Sequence, residues 1–200
     1  AGYAVSTAGD VDGDGLDDLL ISAYLNDEVA TYAGKSYLIL GSSIGSSPTI
    51  DLASADYAFI GENGGDYAGV SAASAGDVDG DGLDDLIIGA YLNDDGGIYA
   101  GKAYVILGAS LGGAPTMDLS VADYSFVGEN AYDDAGVSVA GAGDLDGDGL
   151  DDLLIGAYRN DDAGEQAGKV YVILGASLGA STTMDLSAAD YSFLGENDDD

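Results

Sequence analysis

Hydrophobic residues along this chain fall in short runs separated by turns rich in Gly, Asp, Asn and Ser. From Gly136 onward, GVSVAGAG (Gly136 to Gly143) is built of small residues. LLIGAY (Leu153 to Tyr158) and VYVILG (Val170 to Gly175) follow as β-rich runs, and YSFLG covers Tyr191 to Gly195. These four runs predict four short strands and leave no room for a crossover helix. VYVILG lacks polar alternation, the pattern of a strand covered on both faces. The first run, almost all Gly, Ala, Ser and Val, suits a crowded innermost position, with side-chain bulk increasing outward to the Phe of the fourth.

The same pattern occurs three times. DVDGDGLDDL begins at Asp10 and Asp77, DLDGDGLDDL begins at Asp144, and both intervals are 67 residues. That interval also relates Lys35, Lys102 and Lys169; Phe59, Phe126 and Phe193; and the GEN triplets at Gly61, Gly128 and Gly195. Residues 68–133 and 135–200 share 50 identities in 66 aligned pairs, so one supersecondary unit has been repeated in tandem. The fold expected is all-β, made of tandem four-stranded antiparallel blades of a β-propeller, in units 1–66, 67–133 and 134–200. Closed propellers need about four blades or more, so three blades predict an open arc. In the long connection between the third and fourth strands, Ile50 with Leu52, Met117 with Leu119 and Met184 with Leu186 are expected to plug the outer edge of the blade.

Charge and composition narrow the chemistry. The chain has 37 Asp and Glu against 4 Lys and Arg, a formal charge of −33, with no His and no Cys. Such a surface repels nucleic-acid phosphates and anionic lipid headgroups. Disulfides, thiolate and His-based catalysis, and zinc sites with His or Cys ligands are excluded. No apolar run reaches the 18 residues that suggest a membrane span, so neither nucleic-acid binding nor membrane insertion is expected. The chain starts at Ala1 with no basic and apolar leader pattern, and reads as a mature protein or a piece of a longer one.

The acids are not evenly spread. Asp10, Asp12, Asp14 and Asp18 occupy positions 1, 3, 5 and 9 of a loop with Gly15 at position 6 and the backbone carbonyl of Leu16 at position 7. That is the oxygen spacing of an EF-hand calcium loop. Asp77, Asp79, Asp81, Leu83 and Asp85 repeat it, as do Asp144, Asp146, Asp148, Leu150 and Asp152. Position 12 is Ile21, Ile88 or Ile155 instead of a bidentate Glu, and the flanks are β-rich, so the loop belongs at a hairpin tip. An ordinary solvated Asp-Gly turn needs one or two acids, whereas each of these loops places five within nine residues. About one calcium ion per repeat, three in all, is expected, at a modest affinity of about 10⁻⁴ to 10⁻³ M that is met outside the cell. Asp17, Asp84 and Asp151 at position 8 are expected to point away from the ion. Each repeated Lys is expected to form a structural salt bridge.

With these residues the chain resembles the FG-GAP repeat of integrin α-subunit propellers and many bacterial surface proteins. In the third copy the matching segments are Ala135-Gly136, Asp144 to Leu153, Gly156-Ala157-Tyr158 and Gly168 to Val172. Ala replaces the Phe of the family pattern, and Tyr24, Tyr91 and Tyr158 replace a Pro. The resemblance implies a seven-bladed propeller with calcium loops between the first and second strands. It also implies further repeats of the parent chain and ligand-contacting loops on the opposite face, at 26–34, 93–101 and 160–168 and after each GEN triplet; these runs are acidic, so solvated loops are the first expectation there and a contact surface for a protein or glycan ligand the alternative. The function expected is a non-enzymatic calcium-binding module of a secreted or cell-surface protein acting in adhesion or recognition. The alternative is an accessory propeller of a larger extracellular enzyme, as in glycosylphosphatidylinositol-specific phospholipase D. A catalytic pair of carboxylates in the repeat itself is disfavoured, because the acids recur in every copy whereas a glycosidase builds its pair once.

Overall fold

The computed structural model describes residues 1–45, 47–179 and 181–198, which contain strands, turns and short 3-10 segments but no α-helix. In chain order the strands are β1 (Val5–Gly9), β2 (Asp18–Ala23), β3 (Lys35–Ile39), β4 (Tyr57–Ile60), β5 (Ser71–Gly76), β6 (Asp85–Ala90) and β7 (Lys102–Ile106). They continue as β8 (Thr116–Asp118), β9 (Tyr124–Val127), β10 (Ser138–Gly143), β11 (Asp152–Ala157), β12 (Lys169–Ile173), β13 (Thr183–Asp185) and β14 (Tyr191–Leu194). Three antiparallel meanders result, β1-β2-β3-β4, β5-β6-β7-β9 and β10-β11-β12-β14, one per repeat. These are propeller blades in an open arc. The small-residue strands β1, β5 and β10 stand side by side at the inner edge, as their composition predicts.

Each blade packs face to face on the next, and the strand sequences show how. In β6, Leu86 and Ile88 join Leu20, Leu38 and Phe59 of the first blade, while the intervening Ile87 joins Leu153, Ile155 and Tyr171 of the third. The period-2 alternation of a strand is thus divided between two neighbours, which is why the run needs no polar residues. All six residues of β6 are buried, whereas β2 of the first blade alternates buried and more accessible positions.

The expectation for the long connections is corrected. β8 does not seal its own blade. It adds in parallel to β4 of the preceding one, pairing Thr116 with Ala58, Met117 with Phe59 and Asp118 with Ile60. β13 adds to β9 in the same way. Leu119 and Leu186 are each 1% exposed and pack in the interblade clusters with Phe59 and Phe126. The outermost strand of a sheet carries unpaired backbone groups, and the neighbour's connection is long enough to satisfy them. A repeat unit read from sequence therefore does not coincide with one sheet.

Candidate metal centres

Each β1-β2, β5-β6 and β10-β11 connection is the acidic loop, at a hairpin tip as expected. The first strand ends in a bulge, with a register shift between Thr7 and Gly9 and equivalent shifts in the other two copies. The bulge glycine has φ +77° at Gly9 and +76° at Gly76, in the left-handed region that other residues enter at a cost. The loop then winds round its first acid. Asp14 and Gly15 donate backbone N–H groups to the Asp10 carboxylate at 3.0 and 2.8 Å, and Leu16 N donates to Asp14 Oδ1 at 2.8 Å. The other copies repeat this winding.

Carboxylate oxygens of Asp10, Asp12 and Asp18 come within 4.8 Å of one another, as do those of Asp77, Asp79 and Asp85 and those of Asp144, Asp146 and Asp152. Positions 1, 3 and 9 are therefore assembled. The position-5 residues Asp14, Asp81 and Asp148 lie outside these trios, with Oδ1 accepting from the N–H two residues on. The position-7 residues Leu16, Leu83 and Leu150 enter the site only through the backbone. Three carboxylates at this separation repel one another, and an all-oxygen donor set fits a hard divalent cation. Each repeat could hold one metal ion.

Position 9 also has a structural role. Asp85 is fully buried and accepts from Val78 N and Gly108 N, each at 2.9 Å, tying the loop to the segment after β7. Asp18 and Asp152 do the same in their blades. Burial pushes the Asp85 carboxyl up to about 7, against the lowering effect of those two N–H donors, with Asp79 and Asp81 adding repulsion. Asp18 is raised for the same leading reason. A carboxyl held above its unfolded value binds a proton more tightly in the folded state, so the metal-free protein loses stability as pH climbs from about 4 to about 7. Metal-free protein is expected to melt higher at pH 5 than at pH 8. The increment from added divalent cation is expected to be larger at pH 8, where no proton competes. Equal melting temperatures for the dialysed protein at the two pH values would contradict this account.

Two of the position-8 acids lie outside the carboxylate trios and find their partners across the blade junction. Asp84 Oδ2 accepts from Asp10 N at 2.8 Å, and Asp151 Oδ2 accepts from Asp77 N at 3.0 Å. Asp84 N and Asp151 N donate back to Asp10 O and Asp77 O. The acid of one loop thus clasps the first acid of the preceding loop. A Cβ on Gly9 or Gly76 would collide with that same carboxylate, so glycine is required there by space as well as by φ.

On the opposite face a second clasp joins the blades. Lys102 Nζ donates to Asp95 Oδ2 at 2.6 Å in its own blade and to Glu62 Oε2 at 2.9 Å from the preceding GEN triplet, which also accepts from Tyr104 Oη. Lys169, Asp162, Glu129 and Tyr171 repeat it, while Lys35 pairs with Glu28. The expected salt bridges are present. Sequence reasoning missed a neighbouring pair: Asp66 Oδ2 accepts from Asn93 Nδ2 at 2.8 Å, and Asp133 Oδ2 from Asn160 Nδ2 at 2.7 Å, all four residues buried. The recurrence of Asn93 and Asn160 at one repeat position was the available signal, hidden by their place in a run that looks like a solvated loop. Arg159, the one base outside the repeat pattern, lies 3.3 Å from buried Asp134, which itself replaces Tyr67 of the preceding copy.

A tandem array of propeller blades, each with an Asp-rich loop between its first two strands, is the class that this fold and these loops define. The FG-GAP repeat model matches residues 1–39, 68–106 and 135–173. The chain belongs to the FG-GAP repeat family. No curated protein matches it in sequence. No helix among the described residues is long and apolar enough to cross a membrane.

Proposed function

We propose that this chain is a calcium-binding propeller module of a secreted or cell-surface protein, acting in adhesion or in recognition of a protein or glycan. The observation that carries the proposal is the carboxylate trio assembled once per repeat. Calcium suits these loops better than magnesium, because the flexible acids and the carbonyl offer many oxygens, whereas magnesium prefers to keep several waters. Without the bidentate Glu at position 12 the affinity falls in the range met by extracellular calcium.

Recognition is assigned to the face opposite the loops, where tyrosines form a row. Ring centroids of Tyr3 and Tyr24 lie 4.3 Å apart, those of Tyr24 and Tyr67 5.8 Å, and those of Tyr67 and Tyr91 5.9 Å, with Tyr32 stacked on Tyr67 at 5.3 Å. Tyr32, Tyr67, Tyr99 and Tyr132 have φ between +55° and +71°, a conformation costing about 1–2 kcal/mol per residue. Strain of this kind gathers where function fixes a side chain, and aromatic rings are favoured contact groups for sugars and proteins alike. Isothermal titration is expected to give three calcium ions per chain and much weaker magnesium binding. An array of glycans and extracellular-matrix proteins, probed in calcium, is expected to show hits that the Tyr67→Ala variant loses. Absence of calcium binding would remove the first part of the proposal. Hits unaffected by Tyr67→Ala, or no hits at all, would remove the second.

A further inference from the structure

The acidic loops of neighbouring blades are joined to one another, and the joint falls on residues that flank the metal donors. Asp84 and Asp10 exchange two hydrogen bonds: Asp84 Oδ2 accepts from Asp10 N at 2.8 Å, and Asp84 N donates to Asp10 O at 3.1 Å. Asp151 and Asp77 exchange the same two, each at 3.0 Å. Both joints are internal to the chain, one between the first and second blades and one between the second and third. Beside them Leu83 Cδ2 lies over Gly13, where a Cβ would come within 2.9 Å of it, and Leu150 Cδ2 covers Gly80 at the same distance. Positions 7 and 8 of one loop therefore rest on positions 4 and 1 of the loop before it.

Asp84 stands between Leu83, whose carbonyl is the position-7 donor, and Asp85 of the second trio. It holds Asp10 from both sides only while its own loop is wound. Asp10 is in turn the acid round which the first loop winds, its carboxylate accepting from Asp14 N and Gly15 N. Repulsion among the three carboxylates of an unneutralised trio works against that winding. A cation that neutralises the second trio orders residues 77–85 and closes the clasp on Asp10. The first loop then has less conformational freedom left to lose when it binds its own cation.

We propose that Asp84 and Asp151 are positioning residues that couple the metal sites of adjacent repeats, so that a cation in one loop raises the affinity of its neighbour. The inference rests on the calcium reading given above. Coupling of this kind is reciprocal, so the second loop, which clasps Asp10 and is itself clasped at Asp77, communicates with both others. Two bound cations repel, an effect of opposite sign that fades with added salt. The sign of the coupling thus separates the clasp from charge alone.

Calcium titration followed by two-dimensional NMR, with the amides of Gly15, Gly82 and Gly149 reporting the three loops separately, tests the coupling. Asp79→Asn removes a carboxylate from the second trio and leaves both clasping pairs intact. It is expected to weaken binding in its own loop and to lower the calcium affinity of the first and third loops about fivefold to tenfold. Charge alone predicts a gain there, since a neighbouring cation has gone. In an Asp84→Ala background the effect of Asp79→Asn on the first loop is expected to disappear while that on the third remains, and Asp151→Ala is expected to give the mirror result. The same spectra show whether each variant is folded, and either clasp variant suffices if the other is not. A clasp that only supported the fold would lower the melting temperature without changing these affinity ratios. First- and third-loop affinities unchanged by Asp79→Asn, or coupling that survives loss of the clasp, would overturn the proposal and leave calcium binding standing. No calcium-dependent shift in any loop of the parent protein would remove the calcium reading and this inference with it.

Discussion

Removing calcium is expected to lower the melting temperature by on the order of 20 °C. The magnitude follows from mass action. At a free concentration a hundredfold above Kd, one site adds about 2.7 kcal/mol, so three equivalent sites add about 8 kcal/mol. For a chain of this size about 1 kcal/mol moves the midpoint by roughly 2–4 °C. The direction follows from the geometry: without a cation, each loop holds three carboxylates whose oxygens lie within 4.8 Å of one another. The clasps from Asp84 and Asp151 grip Asp10 N and Asp77 N, the backbone of the first acid in two of the three trios. Loss of order in one loop therefore loosens the junction to the next blade. A thermal scan in calcium, in magnesium at the same concentration and in chelator measures the effect. A difference below about 3 °C between calcium and chelator, less than one site of this strength would give, would remove the stabilising role assigned to the loops.

Asp85→Ala is expected to be the most damaging single substitution in the loops, and its cost should depend on calcium. It deletes a ligand and also strips Val78 N and Gly108 N of their acceptor in a buried setting. Each stranded donor costs about 1–3 kcal/mol. With calcium present these losses add to the lost ion, for a total of about 5–9 kcal/mol. Without calcium the same variant is relieved of a carboxylate whose burial raises its pKa to about 7, a relief of about 4 kcal/mol at pH 8. The two effects then largely cancel. Asp79→Asn provides the contrast, because Asp79 lies exposed among Asp77 and Asp81 and accepts within the loop from Asp81 N. It is expected to melt lower than the parent protein in calcium and slightly higher in chelator, where one like charge has gone. If Asp85→Ala and Asp79→Asn shifted the midpoint equally in both buffers, the distinction between a ligand that also builds the blade and one that only binds would fail.

Much of this protein is legible in its sequence because the repeat shows the same decision three times. The four strands of each blade and the hairpin-tip loop follow from local patterning and spacing, and in each loop the carboxylates at positions 1, 3 and 9 lie close together. Asp14, Asp81 and Asp148 have the same spacing logic, yet they sit outside the trios with an oxygen committed to the following turn. Spacing alone cannot separate a carboxylate that faces the ion from one that holds the loop.

What only the tertiary structure decided concerns the junctions between repeats. β8 and β13 become strands on a neighbour's edge, whereas the equivalent residues 49–51 do not, although the local sequences are close. Position 8 clasps the preceding loop, Glu62 and Glu129 reach Lys102 and Lys169 across 40 residues, and the NDD runs hold buried Asn93 and Asn160. Local sequence fixes what a segment favours when it acts within its own blade. It carries no record of which blade lies alongside, and the pairing of a long connection, a buried acid or an edge strand depends on that neighbour.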